Sequence, residues 1–216
     1  GPLAVGLYKK ALEKKLWKLN IVNIRDYADV KHKTEDDTPF GGGQGMLLKP
    51  DVLAKSVDQN IKKKERIFCL SPKGKKLDQN LSKELSKEKT INFICGHFEG
   101  IDERFISSRN IEEISIGDYI LSGGETAVLV IIDSILRLLP GVIGNQKSIK
   151  DESFENGLLE HPQFTKPQIW EKKSVPEVLL SGDHAKINDW RLSQSKAITR
   201  RQRPDLWKKY LEKNKK

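Results

Sequence analysis

Three glycine-containing segments, each following an apolar run, constrain the fold of this chain most strongly. They are SPKG at 71–74, CGHFEGIDER at 95–104 and SIGDYILSGGE at 115–125. Parallel α/β domains build their ligand crevice at the carboxyl ends of strands, where the chain turns towards the next helix. Three such turns predict a pocket lined by backbone N–H and C=O groups. A pocket of that kind suits an adenine or a sugar better than a metal ion.

The apolar spacing between these turns alternates between short strands and helices. It predicts strands at 21–24, 66–70, 90–95 and 111–116, and helices at 7–19, 50–63, 77–85, 101–108 and 125–139. The helix at 125–139 is apolar around almost its whole circumference. We therefore expect it to be buried on most sides, either at the centre of the domain or at a subunit interface. The alternation alone predicts an α/β protein with an open, Rossmann-like sheet.

A change of composition after Pro140 divides the chain. Residues 1–143 form the predicted α/β domain. Residues 144–167 are polar and interrupted by glycine and proline, which is typical of a flexible linker or lid. Residues 168–216 contain enough apolar side chains for a small helical core and end in a basic tail.

The charge of the chain indicates its partner class. Its 216 residues carry a formal net charge of +9, for which nucleic acid is the most economical partner, although a lysine-rich surface alone is the alternative. Cys69 and Cys95 are isolated in the sequence, so neither a zinc site nor a disulfide framework is indicated, and a reducing cytoplasm fits. No apolar run reaches the roughly 18 residues of a membrane span.

Several familiar motifs fail on their spacing. GGGQG at 41–45 lacks the dinucleotide fingerprint, and GVIGNQKS at 141–148 follows a helix and lacks the glycine that a phosphate loop places before its lysine. The four histidines show no metal-ligand spacing, so no metal site is predicted. Glu99 either accepts a hydrogen bond from a ribose hydroxyl, faces the positive charge of a cofactor, or caps the following helix. Arg137 pairs with an anion in the pocket or with Asp133, one turn earlier.

Longer motifs resemble, in the same order, the bacterial tRNA (guanine-N1)-methyltransferases of the SPOUT class. The matching stretches are RDYADVKHKTEDDTPFGGGQGM (25–46), LSPKGKKLDQ (70–79), CGHFEGIDER (95–104), SIGDYILSGGE (115–125), DS…RLLPGVIGN (133–145), SFENGLLEHPQFTKP (153–167), VPEVLLSGDHAKINDWR (175–191) and RRQRPDL (200–206). They cover most of the chain, and motifs of this length are highly specific.

The resemblance implies a SPOUT fold, in which the C-terminal part of the α/β sheet is tied into a deep trefoil knot. That family opens with a strand before the region of Gly1–Leu7, so we expect one sheet position to be unfilled. The resemblance also implies a homodimer with its active site at the subunit interface and S-adenosylmethionine bound in the knot. The residues that match its cofactor contacts are Cys69, Leu70, Ser71, Pro72, Gly96, Phe98, Glu99, Ser115, Ile116, Gly117, Asp118, Tyr119, Ile120, Leu121, Gly123 and Gly124.

The substrate implied is the guanosine just 3′ of the tRNA anticodon, position 37, methylated at ring N1. Guanine N1 needs a general base, and the family's catalytic aspartate is matched by Glu152, with Asp151 beside it as the alternative. Arg137 matches the arginine that stabilises negative charge towards O6. Matched tRNA contacts are Gly43, Gly45, Met46, Ser153, Arg200 and Arg201, and residues 168–216 would bind tRNA. The family's activity depends on Mg²⁺, but no magnesium site is legible here.

The chain departs from the family pattern at a few positions. Glutamate replaces aspartate at 152, and His97 and Phe98 stand where arginine and tyrosine are usual. Two alternatives remain: a non-catalytic RNA-binding protein that keeps the fold, or a SPOUT enzyme that acts on another RNA position or ring atom. The intact glycine turns argue against the first alternative, and the PFGGGQGM loop (39–46) and the C-terminal domain argue against the second.

Overall fold

The computed structural model describes residues 1–28, 34–97, 99–144 and 152–214. The chain divides into two compact units, Gly1–Gly144 and Asn145–Lys216. The helices of the first unit are α1 (Gly6–Glu13), α2 (Pro50–Asn60), α3 (Gln79–Leu85), α4 (Glu103–Ser108) and α5 (Gly124–Leu136), with 3-10 turns at Pro2–Ala4 and Ile24–Tyr27. Its strands are β1 (Asp36–Asp37), β2 (Leu47–Leu48), β3 (Arg66–Lys76), β4 (Ile91–Ile94) and β5 (Glu112–Ser115).

A parallel sheet of three strands, in the order β4-β3-β5, lies at the centre of the first unit. Successive side chains of a strand point to opposite faces. Ile67 and Cys69 accordingly pack with α2 and α4, in a core that includes Leu53 and Phe105. Phe68 belongs to the core on the other face, with residues of α3 and α5. The predicted α/β class with a parallel sheet is confirmed.

A bulge interrupts the pairing of the central strand β3 with β5. Leu70 and Lys75 both pair with Ile114 of β5, so the four residues between them bulge out of the sheet. Gly74 makes the return possible, because a Cβ atom there would lie 2.3 Å from the backbone nitrogen of Ile114. The turn predicted at 71–74 is present, but the prediction that the strand ends at residue 70 is wrong.

Three other predictions differ from the structure. The helix predicted at 7–19 ends earlier, since α1 spans only Gly6–Glu13. Residues 21–24 form no strand; irregular chain leads instead into the 3-10 turn, where the Asn23 side chain accepts a hydrogen bond from the Arg25 N–H. A short apolar run cannot be assigned from its pattern when polar capping competes with a ladder. Helix α5 is buried at Ala127 and Ile131, whereas Val130 is 45% exposed. The single chain thus covers only part of its apolar circumference.

The second unit contains a hairpin and two helices in its described part. The elements are β6 (Ile169–Trp170), β7 (Lys173–Ser174), a 3-10 turn at Glu177–Leu180, α6 (His184–Gln202) and α7 (Pro204–Lys213). Thr199 of α6 is fully buried and anchors the preceding segment. Its Oγ1 accepts from the Leu159 N–H at 2.8 Å and donates to the Ser195 carbonyl at 2.7 Å. The role of residues 144–167 as a linker or lid stays a prediction.

Candidate functional site

All three predicted turns border one cavity in the first unit. Because the strands are parallel, the turns that follow them lie at the same edge of the sheet. The cavity has a volume of about 470 Å³, within the range of roughly 300–1,000 Å³ that small-molecule sites occupy. Its wall combines backbone from the turns with side chains of β5 and the first residues of α5.

Most of the residues predicted to bind a cofactor line this cavity. They are Cys69, Leu70, Ser71, Pro72, Gly96, Glu99, Ser115, Ile116, Gly117, Tyr119, Ile120, Leu121, Gly123 and Gly124. Asp118 does not line it; its side chain is 90% exposed, with a carboxylate oxygen 3.4 Å from Lys76 Nζ. Phe98 lies outside the described residues. The structure brings the predicted set together, while the binding role of each residue stays a prediction.

The cavity also has acidic and basic side chains that the sequence argument missed. Glu103 and Glu113 line it together with Glu99, and Lys73 and His97 contribute the basic groups. The lining therefore carries more carboxylates than cations, which favours a ligand with a positive centre. Glu103 lies inside the glycine-containing segment at 95–104, but on the helix that follows the turn, whereas Glu113 belongs to β5 and lies outside all three segments.

The two cysteines near the sheet edge are not nucleophiles at neutral pH. Burial, reinforced by the charge of Glu113, raises the pKa of the Cys69 thiol to about 11. Burial and the charge of Glu125 raise the pKa of Cys95 to about 11 as well. A thiol with such a pKa stays protonated, and the thiolate is the reactive form. Cys69 therefore contributes packing to the cavity wall.

The glycine loop at 41–45 docks onto the second turn of the cavity. The Glu99 N–H donates to the Met46 carbonyl at 3.1 Å, and the Leu48 N–H donates to the Gly100 carbonyl at 3.0 Å. A Cβ atom at Gly45 would lie 2.5 Å from Glu99 Cγ. Gly45 also has φ +101°, in the region that favours glycine. Two predicted tRNA contacts, Gly45 and Met46, thus adjoin a predicted cofactor contact.

The structure describes two of the three predicted catalytic residues, Arg137 and Glu152. Arg137 caps the C-terminus of α5, is half-buried, and does not line the cavity. Its backbone N–H donates to the Asp133 carbonyl at 3.3 Å. Glu152 is half-buried in the second unit, and Asp151 lies outside the described residues. Arg137 and Glu152 belong to different units, and their catalytic roles stay predictions.

The other predicted tRNA contacts lie on both units. Gly43 is exposed in the glycine loop of the first unit. In the second unit, the Ser153 hydroxyl accepts a hydrogen bond from the Glu160 N–H at 2.9 Å. Arg200 and Arg201 are exposed in the last turn of α6. Exposed guanidinium groups at a helix end are available to phosphates, and their role stays a prediction.

Two further findings concern metals and membranes. Within residues 1–28, 34–97, 99–144 and 152–214, no cluster of three or more His, Cys, Asp or Glu side chains is arranged to hold a metal ion. In that same part of the chain, no helix combines the length and the apolar character that crossing a bilayer requires.

The parallel sheet and its cavity define an α/β protein with a cavity of ligand size at the carboxyl edge of the sheet. The profile of the family described as tRNA (Guanine-1)-methyltransferase TrmD matches residues 1–209. A tRNA (guanine-N(1)-)-methyltransferase of Pelagibacter ubique (strain HTCC1062) is 74% identical over 210 residues, which cover 97% of this chain and 92% of that protein. Those of Brucella canis (strain ATCC 23365 / NCTC 10854 / RM-666) and Brucella ovis (strain ATCC 25840 / 63/290 / NCTC 10512) are each 51% identical, covering 97% of this chain and 86% and 87% of theirs. The chain belongs to the tRNA (guanine-1)-methyltransferase family, as the resemblance predicts.

Proposed function

We propose that this protein transfers the methyl group of S-adenosylmethionine to N1 of the guanosine 3′ of the anticodon, position 37, in tRNA. The observation that carries the proposal is the single cavity that gathers the three glycine turns in a chain of this family. A protein that only binds RNA, a polyanion, has no need of a cavity whose lining carries more carboxylates than cations. The cytoplasmic location predicted from the sequence remains a prediction.

The cavity fits S-adenosylmethionine in size and charge. Its lining offers backbone groups for the adenine and ribose, and the carboxylates of Glu99, Glu103 and Glu113 suit a sulfonium and an ammonium group. Glu99 is the best placed of the three to accept from a ribose hydroxyl or to face positive charge, because it lies on the turn itself. When bound, the cofactor supplies an activated methyl group, so the protein must align it with the nucleophilic atom of the tRNA.

Guanine N1 becomes a nucleophile only when its proton leaves. A carboxylate within hydrogen-bond reach can take that proton, and by the family match we assign this role to Glu152, with Asp151 as the alternative. Negative charge then develops towards O6. The guanidinium of Arg137 is the group that would stabilise it. The guanosine must leave its stack to reach the donor, as bases do in other enzymes that modify them.

We propose a homodimer with the active site at the subunit interface. Ala127 is the last residue of α5 that lines the cavity, and Arg137 follows it by ten residues, roughly 15 Å along a helix. A second copy is the simplest source of an arginine close to the methyl donor. The exposed apolar side chains of α5, such as Val130, would be covered in that dimer. The trefoil knot of the SPOUT fold belongs to this proposal as well.

We propose that both units contact tRNA. The glycine loop would place Gly43, Gly45 and Met46 beside the substrate base, and the second unit would bind the backbone through Arg200 and Arg201. The net charge of +9 supports a polyanionic partner. We also propose that the reaction needs Mg²⁺, as it does in the family, and we assign no protein site to the ion.

Methyl transfer from labelled S-adenosylmethionine to two tRNA transcripts tests the proposal. One transcript carries guanosine 3′ of the anticodon and the other carries adenosine there. Label on the guanosine transcript alone supports the enzyme, the substrate class and the position together. Transfer to neither transcript, together with no binding of S-adenosylmethionine in calorimetry, would favour a non-catalytic RNA-binding protein. Equal labelling of both transcripts would contradict the assigned position.

A further inference from the structure

The second unit has a cavity of its own that the proposed chemistry does not use. Its volume is about 440 Å³, a size that admits a nucleobase with its sugar. Val175, Leu179 and the buried Ile187 give it an apolar floor. These side chains come from three successive parts of the unit: the segment after the hairpin, the 3-10 turn and α6.

One wall of this cavity is aromatic. Phe164 lines it and is 48% exposed, a large apolar area for a residue beside a cavity. The half-buried Trp190 packs on the Phe164 ring with centroids 6.2 Å apart, and on the His161 ring at 6.3 Å. Trp190 thereby supports both lining rings from behind. A supported, exposed aromatic face is what a nucleobase stacks on.

The rim of the cavity is cationic. Lys166 and Arg191 line it, and none of the described lining residues is Asp or Glu. Neither cation forms an ion pair within the described part of the chain. A guanidinium and an ammonium beside an aromatic wall match a base with its flanking phosphate.

Polar side chains complete the wall where a base edge would lie. Thr165 and Gln168 line the cavity, and both can donate to and accept from a base. Gln163 donates its amide to Glu160 at 2.5 Å, which leaves its carbonyl oxygen as an acceptor. The cavity therefore offers stacking, charge and hydrogen bonds within one unit.

We propose that this cavity, hereafter the Phe164 pocket, binds an unstacked nucleobase of the tRNA. The inference rests on the proposed function, since it assigns a further contact to the same substrate. The base is not the guanosine that is methylated, because that guanosine must reach the donor in the first unit. A second copy of this chain is a poorer occupant, because its own net charge of +9 would face the cations of the rim.

Binding of the full-length protein to the guanosine-containing transcript, at fixed salt, tests the pocket. Phe164→Ala is expected to raise the Kd at least about fivefold, the lower end of base–aromatic stacking. Phe164→Tyr keeps a ring and should bind like the wild type. Ile21→Ala is the matched control, since Ile21 is an exposed apolar residue of the first unit, 82% exposed, and lines neither cavity. Its Kd should not change.

A second measurement keeps the inference testable if Phe164→Ala does not fold. Arg191→Gln should weaken binding and reduce the slope of log Kd against log salt by about one, as expected when one phosphate contact is lost. An unchanged slope in Arg191→Gln, or an unchanged Kd in a folded Phe164→Ala variant, overturns the pocket. So does a loss of binding that accompanies a changed oligomeric state in sedimentation, because the pocket would then be a subunit interface.

The outcome for the wild type separates this inference from the proposed function. If the wild-type protein methylates the transcript while all the variants bind it equally, only the Phe164 pocket is wrong. If the wild type neither binds nor methylates either transcript, the proposed function itself fails, and the pocket fails with it.

Discussion

His97 Nε2 lies 2.6 Å from a carboxylate oxygen of Glu125, and this contact joins two of the three turns that surround the cavity. The backbone reinforces it, because the Gly124 N–H donates to the Gly96 carbonyl at 2.9 Å. His97 also forms an isolated bridge with Gly123. The turn after β4 and the start of α5 are thus tied together at the mouth of the proposed cofactor site.

Removing the His97 side chain should weaken cofactor binding more than it weakens the fold. Both side chains are about half exposed, so their contact stabilises the protein by at most about 1 kcal/mol. We expect His97→Ala to raise the Kd for S-adenosylmethionine up to about fivefold in calorimetry, with little change in Tm. His97→Gln retains a donor for Glu125 and serves as the control. Equal affinities for the wild type and His97→Ala would contradict a role for this contact.

Gly74 should tolerate no side chain. A Cβ atom there would lie 2.3 Å from Ile114 N and 2.4 Å from Glu113 C, and backbone in a central sheet cannot move aside. We expect Gly74→Ala to lower the free energy of unfolding by about 1–3 kcal/mol, the usual cost of overpacking. Gly144→Ala is the matched control, since nothing lies within 4 Å of a Cβ there. Chemical denaturation measures the free energy of unfolding of both variants. Equal values would show that β3 does not approach β5 closely at Gly74.

The sequence predicts the parts of the site that follow from chain order. Parallel strands place their carboxyl ends at one edge, so three glycine turns in successive connections predict a common cavity. That cavity is present, with Gly96, Ser115 and Gly123 in its lining. The α/β class can also be predicted, because the spacing of apolar residues distinguishes strands from helices within each short segment of the chain.

Other features depend on contacts between distant segments and have no local signal. The return of β3 to its ladder depends on the close approach of Gly74 to Ile114, which are 40 residues apart. The docking of Gly45 on Glu99 is likewise non-local. Propensity at residues 21–24 favoured a strand, but a strand also needs a partner, and the Asn23 cap offered the chain an alternative. Tertiary contacts decide such cases.

Gly45→Ala should impair methyl transfer by displacing Glu99. The substitution adds a Cβ atom 2.5 Å from Glu99 Cγ at a positive φ, where an L-residue is strained by about 1–2 kcal/mol. Gly42→Ala provides the matched control, since Gly42 has φ +80° but nothing within 4 Å of a Cβ. We expect kcat/KM for tRNA to fall about tenfold or more in Gly45→Ala and clearly less in Gly42→Ala. Equal losses would mean that strain, and not the contact with Glu99, explains the effect.

The ion pairs of Arg66 should make the stability of the protein depend on pH. Arg66 donates to both carboxylate oxygens of Glu112 at 2.7 Å and to Glu84 at 2.6 Å. The hydrogen bonds from Arg66 to Glu112 lower the pKa of this carboxyl group below the ordinary glutamate value of 4.5, although burial opposes the shift. A carboxylate whose pKa is lowered by folding stabilises the folded state above its unfolded pKa, and this contribution disappears as the pH falls through the folded pKa.

Glu112→Gln isolates that contribution, because glutamine resembles the protonated acid. Glu112 is 45% exposed, so the difference in free energy of unfolding between wild type and variant should be about 1 kcal/mol or less at neutral pH. The difference should shrink as the pH falls below about 4. Urea denaturation across this pH range measures it, and a difference that stays constant with pH would contradict the assignment.

Glu152 should be the group whose loss slows chemistry without preventing binding. A general base contributes about 10²–10⁴-fold to the rate, so Glu152→Ala should lower single-turnover methyl transfer within that range. Affinity for cofactor and for tRNA should change little, because the carboxylate acts on a proton in the transition state. Glu152→Asp restores the residue usual in the family and should keep most of the rate. Asp151→Ala is the parallel test. If Glu152→Ala keeps the wild-type rate and Asp151→Ala lowers it, the general base is Asp151 and not Glu152.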